Sequence, residues 1–378
     1  MINVQSLSVR AMRHAKRPPR LLAILALGAA LAGDAACTRD PLDSATSPAC
    51  DDLTPSDAAD LPRHLRAERR LMGTAFQVHA VHAGSAAACR AMHAALDEVD
   101  RLEALLSEYR PSSQIALINR AAGDTPVEVD PEVLWLLERA RRTTEITEGA
   151  FDITFASCAR LWSIREQRVP ESQRLEACLV NVGPQHLVLD GRRSTAWLPR
   201  TGTAIGLGGI GKGYAADRAA DVLLAHGVHR FVIDAGGDLL VHGTDLDGPW
   251  SVILANPRDA DRPYGTLRLD RGAVVTSGDY VRFFERDDVR YHHIFDPATG
   301  YPARRSVAVT VLAPSAADAD ALATGLFVLG PDRGLAVAAR LPGVEALVVA
   351  PDLTVHRTPG FPAVSPDPFS TPSDGWPP

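Results

Sequence analysis

Between residues 87 and 108 the apolar side chains Met92, Leu96, Val99, Leu102 and Leu106 recur at three- and four-residue spacing, while Asp97, Glu98 and Glu103 fall off that line. The spacing predicts an amphipathic helix with one stripe turned to a core. Ahead of it, from Arg70, Gly73 marks a turn and residues 74–78 alternate, which predicts a strand. Asp130 and Pro131 offer an N-cap and a first-turn proline to a second helix, with Val133, Leu134, Leu137 and Ala140 facing inward and an end near Thr147. Beyond about residue 180 the pattern changes to short apolar alternations broken by turns, at 187–189, 231–233, 239–241, 250–254, 266–269 and 307–312. Two helices interrupt them, one at 213–226 stopped by Gly227 and one at 316–329. Such close spacing favours hairpins over repeated crossovers. The expected fold is therefore α+β, a single body with mixed or antiparallel sheets flanked by helices, and not a doubly wound sheet.

The two ends of the chain read differently. Residues 10–20 are basic, 21–31 are apolar, and small residues follow up to Cys37, the layout of an export signal. The apolar run is shorter than the roughly 20 residues of a permanent membrane span. Ala35-Ala36-Cys37 resembles the end of a bacterial lipobox, from which Asp34 departs. Two readings stand side by side: a lipid anchor on Cys37, or simple cleavage after an alanine. The expected organisation is a signal over 1–36, a flexible tether rich in Asp, Ser, Thr and Pro over 37–66, a folded domain over 67–357, and a Pro-rich tail over 358–378. The expected location is exported, on the periplasmic side of the inner membrane. Cys50, Cys89, Cys158 and Cys178 then remain, an even number that permits disulfides in three pairings, with unpaired thiols the equal alternative.

Composition narrows the classes. With 46% apolar residues, 22% charged residues and a formal charge of -7, the 378-residue chain is an ordinary globular sequence. It carries no basic patch of the density that nucleic acid requires, so no nucleic-acid partner is expected.

The candidate chemistry centres on the run from Gly206 to Gly213, Gly-Leu-Gly-Gly-Ile-Gly-Lys-Gly. A Walker reading fails because Gly213 stands where Ser or Thr would hold magnesium, and a dinucleotide reading lacks the alternating strands and helices it should open. What remains is close backbone approach and a helix start that favours an anion. Ser315 and Asp318 form a capping box on a helix carrying Asp320 and Thr324, four apart and so on one face. These are two hard oxygens suited to magnesium or calcium, although on spacing alone the plainer reading is dipole complementation and a local hydrogen bond. His292 and His293 are neighbours on a strand and face opposite sides, so one of them at most meets a site. Neither a G-x-S-x-G elbow nor an H-E-x-x-H helix is present.

Taken in order, Met72-Gly73-Thr74, Gly149-Ala150-Phe151-Asp152, Gly208-Gly209-Ile210-Gly211-Lys212-Gly213-Tyr214, Thr276-Ser277-Gly278-Asp279-Tyr280, the run from His293 to Gly300, and Asp320-Ala321-Leu322-Ala323-Thr324 resemble the bacterial FAD:protein FMN transferases, the ApbE family. The resemblance implies magnesium-dependent transfer of FMN from FAD to a Thr or Ser hydroxyl of an acceptor protein, with release of AMP. It implies that Asp320, Thr324 and a carbonyl at Gly209 hold Mg2+. It further implies that Met72, Tyr109, Ala150, Phe151, Asp152, Lys212 and Ile294 line the FAD, and that His293 is the base. Gly206 occupies a flavin-binding position where the family usually has Asp, so one contact is absent, with Asp234 or Asp238 as candidate substitutes. A non-catalytic FAD-binding lipoprotein and an FAD pyrophosphatase are the alternatives.

Overall fold

The computed structural model describes residues 23–25, 50–53, 62–259 and 261–365. Its strands are β1 (Arg63–Leu71), β2 (Thr74–His82), β3 (Phe231–Ala235), β4 (Leu239–His242), β5 (Trp250–Leu254), β6 (Gly265–Leu269), β7 (Arg271–Gly278), β8 (Phe283–Arg286), β9 (Val289–His292), β10 (Ala308–Ala313), β11 (Glu345–Val349) and β12 (Val355–Arg357), with shorter pairings between them. The helices are α1 (Ser85–Leu106), α2 (Gln114–Arg120), α3 (Pro131–Ile146), α4 (Ala156–Ala159), α5 (Ser172–Leu179), α6 (Gly211–Ala225) and α7 (Ala316–Ala338).

One nine-stranded sheet runs in the order Asp51–Asp52, β1, β2, β3, β4, β7, β10, β11, β12, and every neighbouring pair is antiparallel. The antiparallel expectation holds. Period-two alternation gives the sheet two cores. Phe231, Ile233 and Ala235 face the layer of helices α1, α3, α6 and α7, while Val232 joins Trp250, Val252 and Leu267 beneath the β5–β6 pair on the opposite face. Ala23–Leu25 runs parallel to β5.

The helix boundaries follow from their caps. Asp130 accepts a hydrogen bond from the Glu132 amide at 2.8 Å, and Ser315 accepts one from Asp318 at 3.3 Å, as their positions predict. Gly227, at φ 77°, ends α6 in the left-handed region. The last expected helix extends past 329 to Ala338, but Gly330, at φ 81°, breaks it before Pro331. α7 is apolar around most of its circumference because it lies inside the body, between α6, α3 and the sheet.

Two boundaries shift. The folded domain begins at Arg63 and not at 67, because β1 pairs with β2 along its full length. Cys50, placed in the tether, is bonded to Cys89 on α1, and the second bridge joins Cys158 to Cys178. At the other end, Thr358 and Phe361 are buried and Ser365 pairs with Thr266, so packing continues into the segment assigned to the tail. Cys37 lies outside the described residues.

α6 and α7 meet closely at their N-termini. A Cβ on Gly213 would lie 2.1 Å from the carbonyl oxygen of Ala316. Asp217, one turn along α6, accepts from the amides of Ala316 at 2.8 Å and Ala317 at 3.0 Å and from the Ser315 hydroxyl at 2.8 Å. One helix thereby satisfies the free amides of the other. Gly213→Ala is expected to destabilise the fold by roughly 1–3 kcal/mol or more through overpacking against backbone. Gly208→Ala, which meets nothing within 4 Å, is the near-neutral control. Denaturant melts of the two variants check this.

Candidate active site

A cavity of about 730 Å3 opens where the 206–212 loop, the first turns of α7, the 150–156 segment and residues 293–297 converge. Lys212 is its electrostatic centre. Its Nζ lies 2.5 Å from Asp238 Oδ2 and 3.3 Å from Asp320 Oδ2, and Asp320 Oδ2 also accepts from the Gly213 amide at 3.2 Å. The side chains of Asp238 and Asp320 are 9% and 5% exposed and that of Lys212 is 28% exposed, so the carboxylates are dry while the ammonium retains an opening to the cavity. Burial alone would lower the lysine pKa, yet the two carboxylates hold it above its ordinary value. Burial raises the Asp238 carboxyl; Lys212 opposes that shift and the charge of Asp320 adds to it. Two acids against one base leave a surplus of negative charge.

Thr324 sits one turn beyond Asp320 on α7, and both line the cavity. A Cβ on Gly209 would lie 3.2 Å from Thr324 Oγ1 and 3.1 Å from Phe151, so the loop backbone is laid directly against that hydroxyl. Every donor gathered here is a hard oxygen.

Opposite, His293 lines the cavity and His292 does not. His292 is 3% exposed, with Nε2 2.8 Å from the Ala303 carbonyl and Nδ1 accepting from the Ile294 amide at 3.2 Å. It is a satisfied core histidine. His293 turns Nδ1 toward the Arg282 carbonyl at 3.4 Å; that oxygen only accepts, so Nδ1 carries the proton and Nε2 keeps its lone pair. Enclosure by protein, and then the Arg282 guanidinium, push its pKa below the ordinary imidazole range. The residue is nonetheless exposed on the cavity side, and with its pKa lowered the imidazole is neutral at pH 7.

Ala150, Phe151 and Ile294 supply apolar wall. Asp152 also lines the cavity, but its Oδ1 caps the turn Ile153–Phe155, accepting from the Thr154 amide at 2.8 Å and hydroxyl at 2.6 Å. Burial raises its carboxyl above the usual range, and the Thr154 bonds partly offset that rise. Two expected residues are not among the lining. Met72 forms the β1–β2 turn, its amide bonded to Glu103 at 3.0 Å, and Tyr109 is 86% exposed beyond the end of α1. Met72 is half-buried against the helix-side core, and it is Glu108, next to Tyr109, that lines the cavity.

Several lining groups carried no signal of their own. A Cβ on Gly206 would lie 2.9 Å from Glu108 Oε2, so the carboxylate beside this glycine is Glu108 and not Asp234 or Asp238. Asp234 instead accepts from the Gly237 amide at 2.6 Å. Phe155 and Phe295 pack with ring centroids 5.2 Å apart and planes tilted by 30°, and both line the cavity. Arg258 and Arg290 line the cavity while holding Asp279 behind it, Arg258 through two nitrogens at 2.7 Å and Arg290 at 3.3 Å. The Asp-Ala-Gly-Gly-Asp turn contained the one usable hint, a second acid at Asp238, and the remaining partners are remote in sequence.

The ApbE family model matches residues 72–348. The chain belongs to the ApbE family. It is 37% identical over 292 residues to the FAD:protein FMN transferase of Treponema pallidum, covering 71% of this chain and 81% of that one. Against the Vibrio cholerae FAD:protein FMN transferase it is 33% identical over 276 residues, covering 71% and 82%. Among solved structures, the ApbE protein of Thermotoga maritima superposes with a TM-score of 0.71 at 33% identity, covering 78% of this chain and 97% of that one. The flavin transferase ApbE of Vibrio cholerae gives 0.71 at 30% identity, covering 79% and 98%. Membership of the ApbE family agrees with the fold described above.

Removing the ammonium tests the charge cluster. Lys212→Met leaves two dry carboxylates unopposed, and the expected loss is roughly 3 kcal/mol, the low end for breaking a buried pair because the cavity wets one side. Urea melts at pH 7 check it.

Proposed function

We propose that this chain is an FAD:protein FMN transferase, moving the FMN half of FAD to a Thr or Ser hydroxyl of an acceptor protein and releasing AMP. The carrying observation is the set Asp320, Thr324 and the Gly209 backbone gathered beside Lys212, across one cavity from a neutral His293. The relatives that carry this activity in their names support the reading.

A divalent cation fits the residues present. Asp238 and Asp320 outweigh Lys212 in charge, and the Thr324 hydroxyl is paired with no protein group among the described residues. Asp320, Thr324 and the Gly209 carbonyl would hold Mg2+, a cation that favours oxygen donors. When bound, it would draw charge from a pyrophosphate. Lys212 places a second positive charge toward the same phosphates.

In the transfer, the acceptor hydroxyl oxygen forms a bond to the FMN phosphorus and its proton passes to His293 Nε2. The bond between that phosphorus and the bridging oxygen breaks, and AMP leaves with the oxygen and the electron pair. The depressed basicity of His293 keeps Nε2 free to accept at neutral pH. Ala150, Phe151 and Ile294 offer the apolar surface a flavin ring needs.

The test is incubation of the purified protein with FAD, Mg2+ and an acceptor domain. Covalent flavin on the acceptor with one AMP per label is expected. Free FMN and AMP without label would replace transfer by hydrolysis, and retained FAD with no AMP would leave a binding protein. Asp320→Ala is expected to abolish Mg2+-dependent turnover, and undiminished turnover would remove it from the cation site.

We infer as well that the protein works outside the cytoplasm, on the periplasmic side of the inner membrane, either anchored through Cys37 or released by cleavage. Two disulfides support an oxidising compartment. Each bridge contributes about 3–4 kcal/mol in the chain-entropy account for loops of 20 and 39 residues. Reduction with dithiothreitol is therefore expected to lower the melting temperature by several degrees, and an unchanged value would withdraw that support.

A further inference from the structure

We propose that Glu108 is the carboxylate that positions FAD in this chain, filling the space beside Gly206 from which an acid at residue 206 would reach the nucleotide. The inference rests on the FAD reading above and assigns a positioning residue to it. Glu108 lines the cavity, and its Oε2 lies 2.9 Å from where a Cβ on Gly206 would stand, with Ala156 Cβ at 3.0 Å on the other side. A residue larger than glycine at 206 would have to displace the end of the Glu108 side chain from that space. The glycine and the glutamate are therefore two halves of one arrangement.

The juxtaposition is held by hydrogen bonds on both sides. Gly206 is fixed by its amide to the Ile153 carbonyl at 2.9 Å. The preceding residue is clamped to α2 twice: the Ile205 amide donates to Asn119 Oδ1 at 2.8 Å, and Asn119 Nδ2 donates to the Ile205 carbonyl at 2.9 Å. On the other side, Ser107 Oγ accepts from the amides of Tyr109 and Arg110, each at 3.2 Å, and the Ser113 hydroxyl donates to the Ser107 carbonyl. The loop bearing Glu108 is thus tied to the helix that clamps residue 205.

The carboxylate is also underused. Its protein partner is the Tyr109 hydroxyl, which leaves acceptor sites free toward the cavity. Burial raises its carboxyl pKa, and a further donor from a bound molecule would satisfy the acceptor sites that Tyr109 leaves free. FAD offers hydroxyl and amino donors, whereas Lys212 is already engaged by Asp238 and Asp320.

The experiment is FAD titration, read by flavin fluorescence, of wild type, Glu108→Gln, Glu108→Ala, Gly206→Asp and the double variant Glu108→Ala/Gly206→Asp, each with its melting temperature in the absence of FAD. Glu108→Ala is expected to bind FAD about tenfold or more weakly, the scale of one lost charged hydrogen bond. Glu108→Gln, which keeps the shape, falls between it and wild type. Gly206→Asp alone weakens binding because two carboxylates then compete for one space. The double variant recovers to within about threefold of wild type, a rescue that a merely structural role for Glu108 would not produce. Wild-type affinity in Glu108→Ala, or a double variant no better than Glu108→Ala, overturns the inference while leaving the transferase reading intact. Failure of the wild type itself to bind FAD overturns the transferase reading, and this inference with it.

Discussion

The site depends on how closely two helix starts can approach. Because Gly213 has no side chain, the first turn of α6 rests against the Ala316 carbonyl, and Asp217 can then reach forward to cap α7. The same contact works in reverse, since Asp320 on α7 reaches back to the Gly213 amide. Lys212, one residue earlier, is thereby set beside Asp320. A packing solution and a charge cluster are therefore one structure, and the glycine-rich loop is where backbone had to be thin.

That cluster is not the arrangement a core chooses for stability. Two carboxylates less than a tenth exposed share one ammonium, and the dry site amplifies the unmatched charge. A fold selected for stability alone would have replaced the three with apolar residues of similar volume. On the proposed function the surplus has a use: a divalent cation held by Asp320 and Thr324 would reverse the sign of the imbalance and offer a positive surface to phosphates. His293 stands in an opposite state: enclosed, close to Arg282, and held neutral. The cavity thus holds a charged cluster and a neutral imidazole together, the separation of roles that the proposed transfer would use.

What was legible in the sequence was periodic or contiguous. Apolar stripes fixed α1 and α3, caps fixed the starts of α3 and α7, and close turn spacing gave the antiparallel sheet. β1 escaped because its outward face is charged: Leu65, Ala67 and Leu71 point into the core, but the arginines between them read as a polar tether. Those arginines are matched across the surface, Arg69 to Asp97 at 2.7 Å and Arg63 to Asp52, which single-chain periodicity cannot reveal. Within the site, residues from the contiguous motifs around 150, 209, 277, 294 and 320 came together at one cavity, and the Met72 motif did not. Asp238 was foreseen only as a candidate substitute at Gly206 and not as the partner of Lys212, and Arg282 and Glu108 were not foreseen at all, because each reaches the site from a separate element and alone looks like a turn acid or a solvated arginine.

Gly206 shows why a missing motif residue is weak grounds for inferring lost chemistry. The motif specifies a position in the chain, whereas a ligand meets a charge at a point in space. Two backbone positions whose side chains point at one another can exchange the task of supplying that charge, provided the vacated one becomes small. Here the glycine amide is pinned to Ile153, its neighbour is clamped by Asn119, and the open side of the glycine is filled by Glu108. The departure at residue 206 and the presence of an acid at residue 108 are then a single structural fact, and the site retains a carboxylate at that wall although the loop no longer carries it.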